Sequence, residues 1–98
     1  MHTLRENAEV NLLLKELGSR YAIPRKKAVE RLAKIGTPAV VGLINRLKDS
    51  NPVIQEAAAE ALDRIGSRVS KAAVRGWRRQ RGEVVPEDMQ IIGEDATV

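Results

Sequence analysis

Tyr21–Gly36 reads YAIPRKKAVERLAKIG, and 30 residues further on Asn51–Gly66 reads NPVIQEAAAEALDRIG. Superposed, Ala28 falls on Ala58, Glu30 on Glu60, Leu32 on Leu62, and Ile35-Gly36 on Ile65-Gly66. The segments on either side keep the same offset. Val10, Leu13, Leu14 and Leu17 map onto Val40, Leu43, Ile44 and Leu47, and then onto Ser70, Ala73, Val74 and Trp77. An i, i+3, i+4, i+7 pattern is the apolar stripe of an amphipathic helix, so three copies predict three equivalent helices. A helix pair that cannot bury its stripe alone must stack on its neighbours. The expected fold is all-α: an α-solenoid of about two and a half antiparallel helix-pair repeats, five helices in residues 1–82, followed by a non-repeat C-terminal tail or cap in residues 83–98.

Local signals bound each helix. Thr3 and Glu6 have the spacing of a capping box, opening a helix from about Leu4 to Leu17 that stops at Gly18-Ser19. A second runs from about Pro24 to Ile35 and ends at Gly36, where a positive φ suits glycine. Thr37-Pro38 reads as N-cap and first-turn proline of a third helix reaching about Lys48. Asn51-Pro52 repeats that device for a fourth helix ending at Gly66, and Ser67 caps a fifth that reaches about Gln80.

The stretch from Leu47 to Gly66 (LKDSNPVIQEAAAEALDRIG) resembles HEAT repeats of the short type found in phycobilisome lyase-like proteins, in its aspartate turn, proline and alanine-leucine helix closing on isoleucine-glycine. The resemblance extends over about Val10 to Gln80. It implies a stacked helical scaffold and says little about function. The family's arginine early in the repeat's proline-initiated helix stands at Arg25 but is Gln55 in the next repeat, and its turn aspartate stands at Asp49 but is Ser19 in the previous one. Of the Asp/Arg ladder the resemblance implies, Arg25 with Asp49 is the one candidate pair.

Composition removes most chemistries. The 98 residues contain no Cys and a single His, His2, so neither a thiolate site nor the His-Glu ligand set of the resembling di-iron hydroxylase can be assembled, and no metal or cofactor is expected. With His2 the only histidine, near the terminus, the serines have no base in reach for a triad. Glu56 and Glu60, one turn apart on an alanine-rich helix, mark a solvated face. No stretch approaches the roughly 20 apolar residues of a membrane span, and the first residues are too polar for a signal peptide; a soluble cytoplasmic protein, monomeric or weakly self-associating, is expected. The reading is non-enzymatic. Only Tyr21 and Trp77 are aromatic, too few for the cleft of a HEAT-like DNA glycosylase. Trp77 shares the rung of Leu17 and Leu47, which points to the core, with an apolar anchor for a partner as the alternative.

Charge is the remaining signal. Residues 1–82 carry all 17 Lys and Arg against 8 acids, a net of +9, whereas residues 83–98 contribute −5. Arg25, Lys26, Lys27, Arg31 and Lys34 lie on the second helix, and Arg68, Lys71, Arg75, Arg78, Arg79 and Arg81 on or just beyond the fifth. Three functions accommodate them: a scaffold for a protein partner, a nucleic-acid-binding module using the two basic clusters, and an accessory subunit of a larger enzyme. Convergence of the cations on one concave face would favour nucleic acid. Scattering would count against it.

Overall fold

The computed structural model describes residues 3–82. His2, the side chains of the Thr3/Glu6 capping box and the proposed tail at 83–98 lie outside the residues so described. Five helices follow one another: α1 (Thr3–Glu16), α2 (Ala22–Ile35), α3 (Thr37–Arg46), α4 (Pro52–Ile65) and α5 (Arg68–Gln80). α1 packs on α3, and α3 more lightly on α5, forming one layer; α2 packs on α4 to form the other, and α1–α2, α3–α4 and α4–α5 join the layers. This is the stacked helix-pair arrangement the 30-residue offset predicts.

The core repeats with the sequence. Leu14, Leu17, Leu43, Leu47, Val74 and Trp77 are buried from one layer, and Ala28, Val29, Leu32, Ala58, Ala59 and Leu62 from the other. Ser70 occupies the position of Val10 and Val40 yet has no exposed surface. Its hydroxyl accepts a hydrogen bond from the Ser67 hydroxyl at 2.9 Å, and its backbone N–H donates to the Ser67 Oγ at 3.1 Å, so the N-cap of α5 also satisfies the one polar side chain buried in the rung.

Helix boundaries depart from expectation at three places. α2 begins at Ala22 rather than Pro24, because a proline in the first turn forgoes an N–H that has no intrahelical partner there. Gly36, not Thr37, stands at the N-cap of α3. Its N–H donates to the Leu32 carbonyl at 3.0 Å while its own carbonyl accepts from Ala39 at 2.8 Å, so one residue ends α2 and starts α3. That double role needs φ 76° and ψ −130°, a conformation only glycine adopts readily. α3 ends at Arg46, and Leu47 and Lys48 continue it as a turn.

The Arg25–Asp49 pair is not formed. Arg25 donates to the Ser19 carbonyl at 2.8 Å, and Gln55, its counterpart, donates to the Asp49 carbonyl. The Ser19 and Asp49 side chains each accept from the backbone N–H two residues on, at Tyr21 and Asn51. The residues of the implied ladder therefore lock each turn to its own following helix. Asp49 is occupied within its turn.

Close approach of α1 and α3 depends on Gly42. A Cβ there would come within 2.5 Å of Leu14 Cδ1, and Leu14 is itself buried. Gly42→Ala gains helix propensity of about 1 kcal/mol but overpacks this contact at about 1–3 kcal/mol, so a net loss of about 1 kcal/mol is expected in urea unfolding. A stabilised variant would contradict the contact.

Candidate functional site

α4 is built on alanine, and small side chains leave space. Ala57 and Ala59 form the floor of a depression of about 450 Å³, walled by Ala22, Arg25, Lys26 and Val29 of α2, rimmed by Val53, Glu56, Glu60 and Asp63, and closed by Arg78 of α5. Where α2 has Val29, α4 has Ala59 in the equivalent position, which removes volume from one helix beside a taller neighbour. Among the described residues no group of three His, Cys, Asp or Glu is placed to hold a metal, and no helix is long and apolar enough to cross a membrane.

The basic clusters divide. Arg25, Lys26 and Arg78 border the depression. Arg31 reaches α1 instead, its Nε donating to Glu9 at 2.7 Å. That hydrogen bond holds the Glu9 carboxyl below its ordinary value and raises Arg31. Any stabilisation from it is present above the ordinary carboxylate range and is lost as pH falls through the lowered value. Both partners are solvent-exposed, so the effect is small. Arg78 pairs with Asp63 at 3.4 Å and Arg81 with Glu56 at 2.9 Å, while Glu60 takes Arg64 at 2.9 Å. Lys27, Lys34, Arg68, Lys71, Arg75 and Arg79 do not line the depression.

Trp77 is buried, at 7% exposure, and faces the core. Its indole N–H donates to Gln55 Oε1 at 3.1 Å, and the Arg81 guanidinium lies over its ring at 4.2 Å. Gln55 therefore combines two bonds, of which the arginine of the preceding repeat can make only the first. Its amide nitrogen holds the Asp49 turn and its oxygen accepts from Trp77, whereas a guanidinium offers no acceptor. As an anchor for a partner, Trp77 offers only the edge that lines a small slot between α3 and α5.

Sequence reasoning overlooked the exposed apolar rim. Tyr21 and Ile23 are 64% and 67% exposed, and Val53 is 45% exposed. Ile23 and Val53 hold the same position in successive repeats, in the first turns of two helices packed side by side, and Arg20 lies over the Tyr21 ring at 6.0 Å. The shared position was the available signal.

The family model for HEAT repeats matches residues 10–87. It matches at the level of the family as a whole, without distinguishing the short lyase-like type. No curated protein and no solved structure matches the chain. With the 30-residue offset, the two helical layers and a match covering most of its length, the chain belongs to the HEAT repeat family.

Proposed function

We propose that this protein is a non-enzymatic scaffold that binds another protein along the α2–α4 face. HEAT repeats generally mediate protein–protein interaction. The observation that carries the reading is the exposure of Tyr21, Ile23 and Val53 at the starts of the packed helices α2 and α4, with Val53 bordering the alanine-floored depression. Apolar side chains grouped on a rigid helical face offer binding area without a large ordering cost. The charges weigh against nucleic acid on this face: Glu56, Glu60 and Asp63 share it with Arg25, Lys26 and Arg78, and Arg31 is committed to α1.

Cross-linking in the native host, with the wild-type chain and an Ile23→Asp/Val53→Asp variant, tests the reading. Both positions are exposed, so the helices should fold unchanged. A partner protein recovered with the wild type should fall by about tenfold or more in the variant, as when central apolar contacts are lost. Equal recovery would move the binding face elsewhere. Duplex DNA binding at about 50 mM salt that weakens steeply as salt rises would support the nucleic-acid reading instead.

A further inference from the structure

α2 and α4 hold the same place in successive repeats and pack side by side, so they run in the same sense and residues 30 apart stand at about the same height. Near the start of both helices, equivalent positions differ in a systematic way. Lys26 on α2 corresponds to Glu56 on α4; both are exposed and both border the depression. Three residues earlier the helices agree, since Ile23 and Val53 are both apolar and both exposed. Val29 corresponds to Ala59, so a fuller flank on α2 answers an emptier one on α4.

Such differences make a surface complementary to itself. A two-fold axis along the groove lays α2 of one copy over α4 of the other, and the same operation lays α4 of the first over α2 of the second, so every contact occurs twice. Ile23 then meets Val53 of the second copy, Lys26 meets Glu56, and the Val29 flank faces the Ala59 recess. Glu56 can take this further cation: Arg81 holds its Oε2 at 2.9 Å, its side chain is 59% exposed, and a carboxylate accepts at both oxygens. Beyond the first two turns the pattern changes. Glu30 corresponds to Glu60 and Lys34 to Arg64, like charges that oppose each other, so the copies attract at the helix starts and splay apart toward the helix ends. A contact so confined buries less than about 1,200 Å², the size of a weak, transient association.

We propose that the occupant of the α2–α4 face is a second copy of this chain, docked about a two-fold axis along the groove through Ile23, Lys26, Val53 and Glu56. This rests on the reading of that face as the protein-binding surface and names what the surface holds. Charge complementarity selects the second copy, because the cation and the carboxylate that answer each other stand at equivalent heights on the same chain.

Full-length Lys26→Glu and Glu56→Lys each place like charges at both copies of the contact. In sedimentation equilibrium from about 10 μM to 1 mM, the span of a weak dimer, the wild type should pass from monomer to dimer mass. Each variant alone should weaken that association by about tenfold or more. An equimolar mixture of the two restores opposite charges at both contacts and should regain the wild-type affinity to within about threefold. General attraction between the variants is not the cause, because reversing one charge moves the wild-type net charge of +4 to +2 or +6, all of one sign. Glu56→Lys also removes the Arg81 pair, whereas Lys26→Glu touches none of the ion pairs described above, so its effect reports the contact even where Glu56→Lys disturbs the fold. A wild type monomeric to about 1 mM, a dimer indifferent to Lys26→Glu, or a mixture of folded variants that stays monomeric would each overturn the proposal. Should the wild type be monomeric while the Ile23→Asp/Val53→Asp variant loses its cross-linked partner, an unlike protein occupies the face and only this inference falls. Equal recovery in that cross-linking would remove the face itself.

Discussion

Leu62→Ala should cost about 3–5 kcal/mol, the upper part of the range for truncating a buried leucine. Leu62 has no exposed surface, and its helix, α4, packs on α2, α3 and α5. Its neighbours along α4 include Ala58, Ala59 and Ala61, which have no atoms to swing into the cavity. A domain of this size holds about 5–15 kcal/mol in total, so the variant should be partly unfolded at ambient temperature. Leu47→Ala, whose side chain borders the slot, should fall nearer 2 kcal/mol. Urea midpoints at unchanged slope measure both. A Leu62→Ala shift equivalent to less than about 1 kcal/mol would contradict the packing of α4 at the centre of the stack.

Trp77→Ala should be comparably severe, about 3–5 kcal/mol, since it removes the largest side chain of the third rung and leaves Gln55 Oε1 without its donor. The sharper experiment restores the preceding repeat. Gln55→Arg should cost about 1–3 kcal/mol, because the buried indole N–H then faces a group that cannot accept. In a Trp77→Leu background, which recreates the Arg25/Leu47 combination of the earlier repeat, that cost should largely vanish. A double-mutant cycle showing coupling of about 1 kcal/mol or more would confirm the link; additive effects would mean that the hydrogen bond contributes little.

What could be read in advance followed from periodicity. Residues 30 apart share an environment, so the sequence alone places the rungs of Leu17, Leu47 and Trp77 and of Leu32 and Leu62 inside. The caps at Asn51 and Ser67 were equally local, because a side-chain oxygen and the N–H it accepts from lie two or three residues apart. The repeat does not say which neighbour a long side chain will choose. Family likeness pairs Arg25 with Asp49, but the Ser19 carbonyl, six residues away in the same turn, is closer to hand. Gln55 looked like a lost rung because its second partner, Trp77, lies 22 residues on, in another helix. The basic clusters share helices α2 and α5 in the sequence, yet Arg31 and Arg78 turn toward carboxylates of different helices. The rim at Tyr21, Ile23 and Val53 was hidden for the opposite reason: apolar residues beside a proline in a first turn resemble core.

Gly36 and Gly66 are the same residue of successive repeats, yet ψ is −130° at the first and 11° at the second, and α3 starts at once where α5 waits for Ser67. The two corners therefore steer the chain differently, and the array is not a uniform screw. Its two ends are geometrically distinguishable. A ligand lying along the helices meets a track with direction, on which sliding by one repeat does not restore the same fit, so even so short an array can impose a single register and polarity on what it holds.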